Sequence, residues 1–237
     1  MKNSMKLRKH NFLKKYDKNR VNFITVDGIT CSGKSLFANL LKRKLSSKFK
    51  NILILSKDLF LVTREKRISF TKKIKTNFLD QNKIHYDLRK LNMLIRFLKN
   101  GNKNKILTMK NLYNRKSGKN NLNAKFEFIP NRLVIFEGIY VNEDIKNLLN
   151  PIMKILIIEK VYESLARKIE RIRDKKISIQ HVVTEFTKIH LQSFKKHLTK
   201  NSFDVTFRDV KRDFIPVQNG KKKQLNYIKV FLSKHLY

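Results

Sequence analysis

The residues best placed to do chemistry begin at Gly28. The stretch Gly28-Ile29-Thr30-Cys31-Ser32-Gly33-Lys34-Ser35 sets two glycines five positions apart, then a lysine, then a hydroxyl residue. That spacing is the signature of a phosphate-binding loop. Glycine permits backbone conformations and close approaches that a side chain forbids. Successive N–H groups then face phosphate oxygens at a helix N-terminus, where the dipole favours anions. Lys34 would reach the β- and γ-phosphates of a nucleoside triphosphate, and Ser35 would offer its hydroxyl to Mg²⁺. Gly28, Thr30, Ser32, Gly33, Lys34, Ser35 and Leu36 are the expected nucleotide-binding positions. Context separates such a loop from an ordinary glycine-bearing turn. An apolar strand, Phe23 to Val26, leads in, and a helical stripe begins after Ser35.

Two carboxylates add to the loop. In open α/β sheets, ligands bind beyond the C-terminal ends of the strands. Asp58 follows the apolar run ILILSK, and Glu137 follows LVIF. Phosphoryl transfer asks a protein mainly to position groups and neutralise charge. An acceptor hydroxyl also has a proton to lose, and a neighbouring carboxylate takes it. Asp58 is the candidate for that role, with a contact to the metal as a second. Glu137 is the candidate for holding Mg²⁺, directly or through water.

Positioning these groups requires a sheet. NFITV (22–26), NILIL (51–55), LVIF (133–136) and KILII (154–158) read as strands buried on both faces, and DVTF (204–207) as a weaker fifth. Continuous apolar runs of this kind suit a parallel sheet covered by helices. Helical stripes lie between them: Leu36, Phe37, Leu40, Leu41 and Leu45; Leu91, Leu94, Ile95 and Leu98, ending near Gly101; Leu165, Ile169 and Ile172; Ile179 through Ile189. A last stripe covers Leu225 to Leu236. The polar stretch 114–125 reads as a loop. The expected fold is a doubly wound α/β domain with a mostly parallel five-stranded sheet, over residues 21–237.

Composition bounds the partners. The chain has 237 residues, 41% of them hydrophobic, enough for one α/β domain with a core. A single cysteine, Cys31, rules out an internal disulfide framework and fits a reducing cytoplasm. No apolar run is long enough to span a membrane. The first twenty residues are basic and lack the apolar core of a secretory signal, so they read as a flexible arm. Lys and Arg total 55 against 18 Asp and Glu, a formal charge of +37. Such a surface attracts polyanions, nucleic acid among them. The excess is spread along the whole chain, as a bias toward A/T-rich codons would also produce, since Lys, Asn, Ile and Phe are all abundant.

The loop is followed in order by ILSKDLFLV, FLDQNKIHYDLRKLNMLIRFLKNG, LYNRKSGK, LVIFEGIYV and SLARKIERIRD. This series resembles the uridine kinase branch of the phosphoribulokinase/uridine kinase family, from about Asn22 to Phe207. The resemblance implies a P-loop kinase domain with a helical lid near 162–176. It also implies a small substrate-binding loop or hairpin insertion within about 78–130. Asp58 falls on the family's catalytic carboxylate and Glu137 on its Mg²⁺-associated acid. Arg167 and Arg171 fall on lid arginines that approach the phosphates and substrate, joining Lys34 as catalytic candidates. Tyr113 falls on the aromatic residue of the nucleoside-binding loop, with Arg115 beside it. Asp80 is the nearest match to the acid that holds ribose hydroxyls, and Asp87 is the alternative.

One departure lies in the loop, where Thr30 and Cys31 replace the family's Gly between Ile29 and Ser32; the others fall on the recognition side. The His-Pro after that acid is replaced by Gln81-Asn82, and Leu61 stands where an aromatic follows Phe60. Asn114 replaces an Asp, and Arg115, Lys116 and Lys119 crowd a loop that lacks its His. The catalytic half matches and the nucleoside-recognition half is altered.

The expected activity is therefore Mg²⁺-dependent transfer of phosphate from ATP or GTP to a small hydroxyl-bearing substrate. The resemblance implies the 5′-hydroxyl of uridine or cytidine. Pantothenate, ribulose phosphate or another sugar is the alternative acceptor. A basic nucleic-acid-binding protein on an NTPase fold is the rival class, and oligomeric state is left open.

Overall fold

A computed structural model describes residues 15–73, 85–101, 105–172, 177–210 and 213–217. Strands β1 (Asn22–Gly28), β2 (Ile52–Ser56), β5 (Leu133–Gly138), β6 (Met153–Ile158) and β7 (Val205–Val210) run parallel in the order β2-β5-β1-β6-β7. All five were expected from the apolar runs. A sixth strand, β8 (Asp213–Pro216), extends the edge antiparallel to β7, so the sheet has six strands rather than five. Its apolar content is too short to announce itself: only Phe214 and Ile215 stand between Asp213 and Pro216.

Successive side chains of a strand face opposite sides, and β1 splits its residues accordingly. Phe23 joins a core with Leu55, Phe136 and helix α3 (Leu88–Asn100), and Ile24 and Val26 join a second with helix α1 (Lys34–Leu45). Helix α3 buries Leu91, Leu94, Ile95 and Leu98 completely, one stripe at i, i+3, i+4 and i+7. Asp87 starts this helix by accepting the Lys90 N–H at 3.0 Å, and Gly101 caps its end. Truncating Leu94 to Ala would cost about 2–5 kcal/mol.

Between α1 and α3 lie a 3₁₀ turn, Lys57–Phe60, and helix α2 (Arg64–Lys73). Strands β3 (Ile106–Tyr113) and β4 (Asn120–Glu127) pair antiparallel as a separate hairpin. The expected polar loop 114–125 is thus only a short turn, and its second half is strand. The signal was hidden because β4 is mostly exposed, with Phe126 its one buried side chain. The turn is polar because its backbone is satisfied by side chains: Asn114 accepts from the N–H groups of Lys116 at 3.0 Å and Ser117 at 3.5 Å.

Helix α4 (Val141–Ile145) follows β5, and α5 (Val161–Ile172) follows β6 at the position expected for the lid. The long helix expected from Ile179 is α6 (Ile179–Glu185), a π-helical stretch (Phe186–Leu191) and α7 (Gln192–Lys200). Phe186, Phe194 and Leu198 pack there with Leu156 and Ile158 in a third core. No described helix is long and apolar enough to cross a membrane. The final helical stripe, 225–236, lies outside the described residues, as do residues 1–14. Residues 15–20 of the expected arm are docked: the Tyr16 ring meets Phe49 edge-on at 4.8 Å, and its hydroxyl donates to the Asn131 carbonyl at 2.9 Å.

Candidate active site

The phosphate-binding loop joins β1 to α1. Gly28 is required by close approach, since a Cβ there would lie 2.6 Å from the Ile157 carbonyl oxygen and 2.7 Å from Ser32 Oγ. Gly33 caps α1 at φ 88°, a left-handed conformation that favours glycine. The α1 N-terminus that follows supplies free N–H groups and a dipole of the right sign for phosphate.

Beneath the loop lies a residue the sequence reading passed over. Asp27 is fully buried at the end of β1. It accepts from its neighbour Gly28 N–H at 2.9 Å, from Tyr140 N–H at 2.9 Å and from Asn142 N–H at 3.3 Å. His197 Nε2 lies 2.9 Å from its second oxygen. Burial alone would raise the Asp27 pKa, but His197 and the N–H groups of Asn142 and Tyr140 hold it below the ordinary value. Asp27 thus ties β1 to the turn after β5, where Tyr140 sits at φ 60°. An acid directly before the first loop glycine was the available signal.

Lys34 is buried, and its Nζ donates 2.6 Å to the Ile29 carbonyl across the loop. Burial lowers its pKa, against the pull of Glu137 and Asp58. Ser35 Oγ donates to Glu137 Oε1 at 3.2 Å. Burial and the nearby Asp58 charge raise the Glu137 pKa, while Lys34, Ser56 and Ser35 oppose the shift. A hydroxyl and a buried carboxylate in contact, with a second carboxylate near, fit the protein side of an Mg²⁺ site. No group of three or more His, Cys, Asp or Glu suited to a metal gathers among the described residues. The remaining ligands would be phosphate oxygens and water, as Mg²⁺ in nucleotide sites usually has.

Asp58 sits in the 3₁₀ turn after β2. Its neighbour Lys57 fixes that turn: the Lys57 ammonium is fully buried, 2.6 Å from Asp144, 2.8 Å from the Ile139 carbonyl and 4.1 Å above the Tyr86 ring. Burial raises the Asp144 pKa to about 6, against the attraction of Lys57. A lysine next to the candidate base was legible in SKD but carried no pattern of its own.

Two clefts meet at Asp58. The first is lined by Gly33, Lys34, Ser35, Leu36, Glu137 and Arg167. The second is lined by Tyr86, Tyr113, Arg64, Arg67, Lys168 and His190, among others. Asp58, Arg115, Arg171, Thr30, Cys31 and Ile139 line both. The boundary is where a phosphoryl group would cross.

Most of the expected site residues converge here. Arg171 lies on the boundary. Arg167, expected also to touch substrate, lines only the phosphate cleft, where Nη1 is 2.8 Å from Glu159 Oε2 and 3.1 Å from Asp209 Oδ2. Burial, with Asp209 beside it, raises the Glu159 pKa to about 7 despite Arg167. Tyr113 is buried in the second cleft, its hydroxyl receiving Arg67 Nη2 at 2.6 Å, and Arg115 pairs with Asp58 at 3.5 Å. Asp80 lies outside the described residues. Its alternative, Asp87, caps α3 and does not line either cleft. Arg64, Arg67 and His85 belong to no motif in the sequence, and Lys168, although inside SLARKIERIRD, was not singled out there.

The phosphoribulokinase/uridine kinase family model matches residues 23–212. No curated protein sequence matches the chain significantly. Among solved structures, one described as a "possible uridine kinase" from Bacillus stearothermophilus has a TM-score of 0.58 at 16% identity, over 82% of this chain and 92% of its own. D-glycerate 3-kinase from Cryptococcus neoformans has a TM-score of 0.58 at 13% identity, over 89% of this chain and 96% of its own. At these identities the neighbours establish the P-loop kinase fold, and the family match spans most of the sequence. The chain belongs to the phosphoribulokinase/uridine kinase family.

Proposed function

We propose that this protein transfers the γ-phosphoryl group of Mg²⁺–ATP to a hydroxyl of a small acceptor. The observation that carries the reading is Asp58 on the boundary between a phosphate-binding cleft and a second cleft walled by the hairpin and lid. Family membership supports a nucleotide substrate. The loop N–H groups and Lys34 hold the β- and γ-phosphates, and Ser35 with Glu137 would hold the Mg²⁺, whose charge offsets that of the phosphate oxygens. Asp58 takes the acceptor proton as the hydroxyl oxygen bonds to the γ-phosphorus and the bond to the ADP oxygen breaks. Arg171, at the same boundary, neutralises charge on the transferring group.

The acceptor implied by the sequence resemblance is uridine or cytidine at its 5′-hydroxyl. Pantothenate, ribulose phosphate and other sugars are the competing acceptors. The test is acceptor-dependent ADP release by the purified chain over nucleosides, pantothenate, sugars and sugar phosphates. Turnover that Asp58→Asn abolishes supports the reading. Turnover unchanged in that variant removes Asp58 from its role. No turnover with any acceptor, together with RNA binding of steep salt dependence, supports the nucleic-acid rival instead.

A further inference from the structure

We infer that Lys57 is a positioning residue for the proposed phosphoryl transfer: its buried ammonium, clamped by Asp144 and the Ile139 carbonyl, holds Asp58 in a fixed place relative to Glu137. The inference rests on the kinase reading for its kinetic readout, and it concerns a residue outside both the loop and the lid.

Lys57 is fully buried and lines neither of the two clefts. It acts instead through the two segments that carry the site's acids. Residues 56–58 run alongside residues 137–139. Ser56 pairs with Glu137 at the end of the β2–β5 register. The Ser56 hydroxyl accepts the Asp58 N–H at 3.3 Å and hydrogen-bonds to the Glu137 side chain. The Lys57 stem covers Gly138, where an added Cβ would lie 2.6 Å from Lys57 Cβ. The Lys57 Nζ then donates to the Ile139 carbonyl at 2.8 Å. The glycine after the candidate metal acid is thus matched to the lysine before the candidate base.

The charged end is held from several sides. Asp144 of α4 lies 2.6 Å away with its side chain 3% exposed, and the Tyr86 and Tyr140 rings lie 4.1 and 5.7 Å from Nζ. Stability alone does not call for this pair. Desolvation offsets the attraction between buried charges, and well-packed neutral side chains often serve the fold as well. What the pair adds is direction. It fixes the end of the Lys57 side chain, and with it the backbone that carries Asp58. That turn needs an outside anchor, because 3₁₀ hydrogen bonds have poor geometry. The Leu61 N–H reaches the Asp58 carbonyl at only 3.3 Å. A reacting group misplaced by about 1 Å can cost about 10²-fold in rate.

The test combines Lys57→Met with Asp144→Asn, so that neither charge is left buried alone. Lys57→Met by itself would strand the Asp144 carboxylate, a strongly destabilising change. Circular dichroism and thermal melting check that the double variant is folded. Turnover is measured with Mg²⁺–ATP and the fastest acceptor among uridine, cytidine, pantothenate, D-ribose and ribulose 5-phosphate. Nucleotide affinity is read with a fluorescent ATP analogue. The expected result is a kcat lower by about tenfold or more, with acceptor KM and nucleotide affinity within about threefold of wild type. A kcat within about threefold of wild type overturns the inference. So does an equal loss in all three quantities, which would make the pair a support of the fold only. Where the double variant is unfolded, Asp144→Asn alone decides, since it keeps the lysine and its bond to Ile139. A selective fall in kcat of about threefold or more supports the inference, and a smaller or unselective change overturns it.

A crystal structure of the variant gives a readout independent of turnover. Asp58 displaced by about 1 Å or more relative to Glu137 supports the inference, and an unmoved Asp58 overturns it. If the wild type turns over none of these acceptors, the kinase reading fails, and the displacement of Asp58 alone decides whether Lys57 positions it.

Discussion

The two clefts that meet at Asp58 are built in different ways. The phosphate cleft is made from consecutive residues. Eight positions, Gly28 to Ser35, supply its loop and the start of α1. The carboxylates that complete it sit on strand ends whose register is fixed by the parallel sheet, with Ser56 paired to Glu137 and Val26 paired to Glu137 from the other side. The second cleft takes one to three side chains each from the 3₁₀ turn, α2, the hairpin, α5, α6 and the π-helical stretch. Backbone amides and a helix dipole recognise any nucleoside triphosphate, so the first cleft can stay constant within a family. Side chains from separate elements can be exchanged singly, which suits the second to the acceptor specificity proposed for it.

The comparison breaks most sharply at the residue both clefts share. Asp58→Asn removes the proposed base and leaves the loop sequence unchanged, and turnover should fall about 10³-fold, within the range of general-base contributions. Nucleotide affinity, read by titration with a fluorescent ATP analogue, should stay within a few-fold. Equal loss of both would mean that Asp58 belongs to the nucleotide site alone. Lys34→Ala is the complementary case. Turnover should fall roughly 10²- to 10³-fold, as when a group stabilising transition-state charge is removed, and nucleotide affinity should fall with it.

Asp27→Ala strikes the support beneath the loop. It leaves His197 and three backbone N–H groups without their buried carboxylate, so stability should drop by about 3 kcal/mol or more, read from urea unfolding. His85 sharpens the contrast from the acceptor side. Its folded pKa is about 3, against an ordinary 6.5. Its contribution is therefore intact above pH 6.5 and lost as the pH falls from 6.5 toward 3, because only the unfolded chain takes up the proton. Between pH 7 and pH 5, wild type should lose roughly 2 kcal/mol of stability relative to His85→Gln. No pH-dependent difference between the two would mean that the ring is not held neutral. The smallest effect is expected at Tyr113. Removing its hydroxyl with Tyr113→Phe takes one hydrogen-bond acceptor from Arg67 and should cost about 1 kcal/mol, roughly a fivefold rise in acceptor KM with no change in that for ATP.

Sequence alone determined the phosphate half. The loop spacing, the five apolar strands and the acids at the ends of β2 and β5 are local patterns, each carried by a short run of residues with a physical reason to be contiguous. The ends of the apolar runs also placed Asp58 and Glu137 at the C-terminal edge of the sheet. Tertiary structure decided the rest. The hairpin strand β4 exposes most of its side chains, so its residues looked like a loop. Edge strand β8 gains its identity only by pairing with β7. Asp27, a lone acid in sequence, becomes a structural anchor because β5 and α7 bring Tyr140, Asn142 and His197 to it. Arg167, expected over the substrate, is instead drawn to Glu159 and Asp209, carboxylates eight residues before it and forty-two after it. The arginines of α2 and the lid form no motif either, since Arg64 and Arg171 are more than a hundred positions apart. They become one wall only when the sheet folds α2 and the lid over the same strand ends.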